Sequence, residues 1–297
     1  MSNDFIYEMI SAKVVEQLEK GIVPWRKPWT ENTMPRSIRG HVYRGINVFI
    51  LMSAGYESPY WMTRKMVTER GGHIKQGEHG TTIIFWKMLL IRDKLTDEVS
   101  TIPHLQYYRV WNWEQTEGCR QPKGGAFPAK ADDAELVRED RHDLAAALVL
   151  GYKDGPSVSH QGDRACYYPA RDHIDVPDVE RFTSLDEYYS TLFHELGHST
   201  GHQTRCDRKS SYVFGSHSYG TEELCAEMTS TFLCSKAGIV STFDNSASYL
   251  SGWIQNIKED PKSLVRAGAQ AQRAYDWILG DAHTDSATET ELAELAA

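Results

Sequence analysis

The stretch SLDEYYSTLFHELGHSTGH, residues 184–202, decides how the C-terminal half of this 297-residue chain is read. Ser184 and Glu187 have the S-x-x-E spacing of a capping box, which starts a helix at that point. At about 100° per residue, Leu185, Tyr188, Tyr189, Leu192 and Leu196 gather on one face, the expected core face. His194 and His198 fall on the opposite side, one turn apart, with Glu195 beside them. Two imidazoles at i and i+4 can share one Zn2+ at about 2.0–2.1 Å, and a neighbouring carboxylate can take a proton from water that the ion activates. His194 and His198 are therefore candidate metal ligands, and Glu195 is the candidate general base of a metal-assisted hydrolysis. The bland alternative is a polar helix face with two solvated histidines. Gly197 speaks against it, because helix interiors disfavour glycine unless another segment must come close.

A catalytic zinc needs a third protein ligand and an open position. A histidine six residues past His198 would supply it in one arrangement, but that position is Thr204. His202 lies four residues beyond His198 and is an alternative ligand, although three ligands from one straight helix fit a tetrahedral ion poorly. The segment TEELCAEMTSTFL (221–233) is the better source. Glu223 and Glu227 sit one turn apart there, with Leu224, Met228 and Phe232 toward the core. Glu223 is the first choice for third ligand, with Glu227 hydrogen-bonding a ligand histidine from behind; the two roles can also be exchanged. Glu222 reads as a solvated acid favoured by the start of a helix. Tyr212, His217 and Tyr219 are candidates to steady an oxyanion. Zn2+ is the expected cofactor, and Mn2+ or another divalent ion can replace it, since geometry more than raw affinity sets selectivity.

Working outward, a chain of this length suits two domains of ordinary size. With 40% hydrophobic and 25% charged residues, both halves can bury a core. No run approaches a membrane span, and MSNDFIYEM has neither a basic nor an apolar leader region, so no membrane partner is expected. Five scattered cysteines without a C-x-x-C pair read as reduced thiols, and the expected location is cytoplasmic. Residues 1–130 carry 18 Lys+Arg against 13 Asp+Glu, a balance of +5; residues 131–297 carry 14 against 28, a balance of -14, together the chain's -9. Six of the eight tryptophans fall in the first segment. Halves of opposite charge imply different partners.

The expected fold class is α+β in two domains. A helix spans about 4–20, with Phe5, Met9, Ala12, Val15 and Leu18 at helical spacing, and Pro24 and Pro28 break the chain after it. GGHIKQGEHGTTIIFWKMLLIRD enters a long strand, paired antiparallel with a second near 104–111 across a loop at 93–100. The first domain is placed at 1–125 and a linker at 126–132, within QPKGGAFPAKAD. The second domain is placed at 133–280. It holds a helix over 133–150, one or two short strands in YYPARDHIDVP, and helices near 184–202, 221–237 and 246–280, the last interrupted at Pro261. The tail 281–297, acidic and without Lys or Arg, is expected to be disordered.

In the first half, PWRKPW, RSIRGHVYRGIN, YWMTRKM and GGHIKQGEHG each set a cation beside a ring or in a glycine-rich turn. Single-stranded nucleic acid needs both, cations for phosphates and flat rings for unstacked bases. Trp25, Lys27, Trp29, Arg36, Arg39, Tyr43, Arg44 and Lys75 are the candidate contacts; the competing reading makes the rings core residues. GIVPWRKPW, YRGIN, GGHIKQGEHGTTIIFW and RVWNWEQTEG resemble the N-terminal domain of the ArdC antirestriction family, shared with plasmid primases of the TraC type. HELGH, YGTEELCAE and the helical ending through Ala274–Leu279 resemble the zincin-like peptidase domain joined to it in that family. The resemblance runs over about 5–280. It implies an N-terminal α+β single-stranded-DNA-binding domain, a C-terminal zincin-like metallopeptidase domain, and protection of incoming conjugative plasmid DNA from restriction endonucleases. For the matching positions it carries over His194, Glu195, His198 and Glu223 as the site. Two other readings stay open: a DNA-binding protector with structural zinc, and a cytosolic metallopeptidase whose N-terminal half recognises a protein substrate.

Overall fold

The computed structural model of the protein describes residues 3–23, 34–92, 99–122, 125, 131–208, 217–239 and 247–281. The first half runs α1 (Asn3–Glu19), β1 (Arg36–Ser37), α2 (Ile46–Met52), β2 (Tyr60–Met62), α3 (Arg64–Glu69), β3 (His73–Ile74), β4 (Thr81–Arg92), β5 (Val99–Asn112) and β6 (Thr116–Glu117). The second runs α4 (Ala131–Gly151), β7 (Ser157–His160), β8 (Cys166–Tyr168), β9 (His173–Val176), α5 (Leu185–Ser199), α6 (His217–Ala237), α7 (Ala247–Glu259) and α8 (Lys262–Leu279).

The long antiparallel pair expected around residues 81–111 is present as β4 and β5, in register from Thr81↔Val110 to Arg92↔Val99. Strand β5 begins at Val99 rather than 104, because β4 offers it a partner along its whole length. The sheet order is β1-β2-β5-β4. At the outer side of β4, Asn47 of α2 acts as a neighbouring strand would. Its side-chain NH2 donates to the Ile84 carbonyl at 2.6 Å, and the Ile84 N–H donates to its Oδ1 at 2.9 Å. A buried backbone position is thereby satisfied by one side chain.

Helix α1 forms where its spacing predicts, with a different face inward. Ile6, Ile10, Val14, Val15 and Leu18 are buried, while Phe5 is 47% exposed and Ala12 is on the surface. The reason lies across the chain: α1 packs against α7 and α8, and Ser11 Oγ donates to the Pro261 carbonyl at 2.8 Å. The basic and acidic halves thus share one core. Residues of α1, α2, β4 and β5 meet Leu224, Met228 and Phe232 of α6, and Trp253, Ile257 and Leu264 of α7 and α8. The Gly45 N–H also donates to Gln272 Oε1 at 2.9 Å.

In the second half a three-stranded sheet of order β7-β9-β8 covers α5, with β8 at the edge. Its strand β7 has no sequence signal beyond Val158 and is an addition to the expected one or two strands. Ile174 and Val176 of β9 pack with Tyr188, Leu192, Phe193 and Leu196 of α5 in a second core cluster. Helix α5 stops at Ser199, three residues short of expectation, and α6 starts at His217, earlier than expected. The interruption at Pro261 separates α7 from α8, and Gly280 in the left-handed region (φ 71°) ends α8. Most of the expected linker 126–132 and all of the tail past Asp281 lie outside the described residues. Among the described residues no helix is long and apolar enough to cross a membrane.

Candidate metal centre

Helix α5 begins as its sequence dictates. Ser184 Oγ accepts the Glu187 N–H at 3.1 Å, while the Glu187 carboxylate accepts from the Thr183 N–H at 2.7 Å, one residue before the cap. Leu192 and Leu196 are in the core as expected, but Leu185 is exposed. The other face corrects the picture of histidines turned away from the core: His194 is 3% exposed, and Glu195 and His198 are also buried. Helix α6 covers them. Gly197 permits this, since a Cβ there would lie 3.0 Å from the Ala226 Cα and 3.1 Å from the Ala226 carbonyl oxygen.

That closeness brings Glu223 to the histidines. Its carboxylate oxygens lie 3.5 Å from His194 Nε2 and 3.5 Å from His198 Nε2, and the two Nε2 atoms are 3.1 Å apart. Among the described residues these three are the group whose donor atoms all lie within 4.8 Å of one another. Two imidazole nitrogens and a carboxylate converging on one buried point are a donor set that would suit a divalent cation, whose bonds to imidazole nitrogen typically run about 2.0–2.1 Å. Burial disfavours a charged His194, but hydrogen bonds to Glu223 and Glu227 outweigh it and push its pKa up to about 10. Burial likewise opposes the Glu223 charge, and the hydrogen bonds from His194 and Tyr219 with the charge of His198 hold its pKa down at about 2.

Each histidine has a carboxylate behind it. Glu227, with no solvent exposure, has an oxygen 3.4 Å from His194 Nδ1. Glu222 corrects its reading as a solvated acid: it is 3% exposed, and its Oε1 lies 3.4 Å from His198 Nδ1. Arg208 makes that burial tolerable, donating to Glu222 Oε2 at 3.0 Å and Oε1 at 2.6 Å. Although burial opposes it, this pairing with Arg208 and His198 holds the Glu222 pKa at about 2. Sequence reasoning missed Arg208; its only trace is that two arginines, Arg205 and Arg208, follow the histidine helix.

Glu195 is oriented by the edge strand, its Oε2 accepting the Tyr167 N–H at 2.7 Å. His202 is not brought to the centre. Helix α5 has ended before it, and its Nδ1 contacts Thr204 Oγ1 at 2.8 Å. Tyr219 stands in the first turn of α6, beside Glu223. Tyr212 lies outside the described residues, and His217 is placed as the first residue of α6.

The N-terminal candidates are scattered differently. Arg36 precedes, and Arg39 lies within, a turn in which the Ser37 N–H donates to the His41 carbonyl at 2.7 Å; Arg39 is exposed and pairs with Glu69 at 3.2 Å. Lys75 is exposed, its Nζ donating to the Glu114 carbonyl at 2.7 Å. Tyr43 is 5% exposed and belongs to the core, so its ring is no stacking platform. Arg44 pairs with Asp276 of α8 and joins the two halves. Trp25, Lys27 and Trp29 lie outside the described residues. The turn bearing Arg39 meets the end of α3, where Arg70 donates to the Arg120 carbonyl at 2.8 Å, and Arg64 and Lys65 are exposed on the same helix.

Residues 4–111 match the family described as the N-terminal domain of anti-restriction factor ArdC, and residues 146–270 match a zincin-like metallopeptidase family. The chain is similar to the metal-free crystal structure of antirestriction ArdC protein from the R388 plasmid, at 33% identity and a TM-score of 0.74, covering 93% of this chain and 97% of that one. The Mn(II)-bound structure of the same protein is similar at 31% identity and a TM-score of 0.73, covering 94% of this chain and 99% of that one. DNA primase TraC of Escherichia coli is 36% identical over 298 residues; the match takes in 92% of this chain and only 27% of the primase.

Proposed function

This chain belongs to the ArdC family of antirestriction proteins, and on that premise we propose that it binds single-stranded DNA through its N-terminal half and holds zinc between α5 and α6 as the centre of a peptide-hydrolysing site. The observation that carries the reading is the convergence of His194, His198 and Glu223 with Glu195 fixed beside them. A divalent ion held by those three residues supplies Lewis acidity toward a water molecule and the scissile carbonyl. Glu222 accepts from His198 Nδ1 and the Glu227 carboxylate lies 3.4 Å from His194 Nδ1, so in this reading both carboxylates would favour the Nδ1-protonated rings and leave the Nε2 atoms to hold the ion. The Tyr167 N–H engages one Glu195 oxygen, leaving Oε1 to take a proton from water and pass it to the leaving amine. Zinc suits a site of two imidazoles and a carboxylate, and manganese, which the R388 relative holds in its crystal structure, is an alternative occupant.

The DNA reading rests on the +5 balance of residues 1–130 and on the cations around the end of α3, with Arg36, Arg39 and Lys75 among them. In this proposal the protein works in the cytoplasm of a cell receiving a conjugative plasmid and shields the entering strand from restriction endonucleases. Glu195→Gln tests the hydrolytic part: it should retain zinc and DNA binding while losing peptide hydrolysis. If restriction protection is lost with it, hydrolysis serves protection. If the variant still cleaves peptides as the wild type does, Glu195 is not the base.

A further inference from the structure

Arg208 ties together the two helices that carry the centre. Its guanidinium donates to both oxygens of Glu222 on α6, to the Gly197 carbonyl at 2.9 Å, and to Thr200 Oγ1 at 2.5 Å at the end of α5. One planar fork thus joins the helix that carries His198 to the helix turn that carries Glu222 and Glu223, a task for which lysine lacks the donors. The segment delivering it is itself clamped: Arg205 donates to the Ser199 carbonyl at 2.9 Å and the Asp154 carbonyl at 2.7 Å, and pairs with Asp172. Buried ion pairs are poor sources of stability compared with apolar packing of the same volume. This one lies directly behind a histidine, its shared oxygen, Glu222 Oε1, 3.4 Å from His198 Nδ1. Glu227 stands behind His194, and among the described residues no arginine pairs with it.

We propose that Arg208 and Glu222 are a positioning pair for His198: Arg208 fixes the Glu222 carboxylate, and Glu222 accepts the Nδ1 hydrogen so that Nε2 is held toward the metal position. Neither residue touches the ion or the reacting atoms. The inference rests on the reading of His194, His198 and Glu223 as a metal site. Three variants of the full chain, with zinc affinity measured by chelator competition beside a melting curve, test it. Glu222→Ala should lower zinc affinity about 10–100-fold, as losing a partner behind a ligand does. Arg208→Lys keeps the charge and loses the fork, and should lower affinity by roughly tenfold. The double variant Arg208→Met with Glu222→Leu removes both buried charges at once, so melting should recover relative to Glu222→Ala while zinc affinity stays low. Recovery of affinity together with melting would make the pair merely structural and overturn the proposal. Should the double variant not fold, wild-type affinity in Arg208→Lys overturns it equally. A wild-type protein that binds no zinc, or a His194→Ala variant that keeps it, refutes the metal site itself and is a separate failure from the pair's.

Discussion

Replacing Gly197 with alanine puts the closeness of α5 and α6 to the test. Gly197 is not among the glycines of positive φ, so alanine is admissible to the backbone, and helix propensity alone favours it by about 1 kcal/mol. Packing opposes the change. The new Cβ would meet the Ala226 Cα at 3.0 Å, the Ala226 carbonyl oxygen at 3.1 Å and Thr229 Cβ at 3.3 Å. Two of these atoms are α6 backbone and cannot rotate away, so the helix itself must shift by a few tenths of an ångström. Overpacking of this kind costs about 1–3 kcal/mol, and after the propensity gain a net loss of roughly 0–2 kcal/mol remains. At about 2–4 °C per kcal/mol the melting temperature should fall by up to ~8 °C. The same shift moves Glu223 away from His194 and His198, and sites of this kind tolerate displacements of only about 0.5 Å. Zinc affinity should therefore drop even where the loss of stability is small. Differential scanning fluorimetry and chelator competition read the two effects separately. A variant that melts higher than wild type and binds zinc equally well would refute the claim that α6 backbone lies against this glycine.

Three further outcomes are expected. Glu223→Ala should reduce zinc affinity much more than Glu227→Ala, whose loss should fall in the roughly 10–100-fold range; the reverse order would mean that the two roles are exchanged, and equal, small effects would remove Glu223 from the ligand set. In the metal-free protein, His194 has its pKa raised from 6.5 to about 10, so its contribution to stability is present below about pH 6.5 and is lost as pH rises through 10. A metal must displace that proton, so calorimetry at pH 7.5 in buffers of different ionisation heat should show proton release on zinc uptake; identical heats would contradict a protonated His194. Finally, binding of single-stranded DNA by the full chain should weaken with salt at a slope of about -0.7 per phosphate neutralised, and Arg39→Ala or Lys75→Ala should make that slope shallower. The full chain is the proper reagent, because residues 1–130 alone would expose the apolar surface that α6, α7 and α8 cover. Unchanged slopes in both variants would remove those two residues from the DNA surface.

The features legible in the amino-acid sequence were those whose causes lie within a few residues. Ser184 caps α5 through an N–H three positions on, His194 and His198 share a face because a helix turns once in about four residues, and Pro261 and Gly280 bound α8. The β4–β5 hairpin was legible for the same reason, since both strands are long and adjacent in the chain. Tertiary structure decided which polar groups are buried. Nothing near Glu222 in sequence distinguishes it from a solvated helix-start acid; Arg208, brought back by the turn after α5, and His198 make a buried carboxylate tolerable there. Tyr43 and Arg44 looked like a stacking ring and a phosphate contact until the core placed the ring inside and Asp276 took the guanidinium. Helix α1 could present several apolar faces to a core, and contact with α7 and α8, more than two hundred residues away, selected one. A side chain's propensity is local, but its desolvation depends on what docks against it, and that partner is not written in the neighbouring residues.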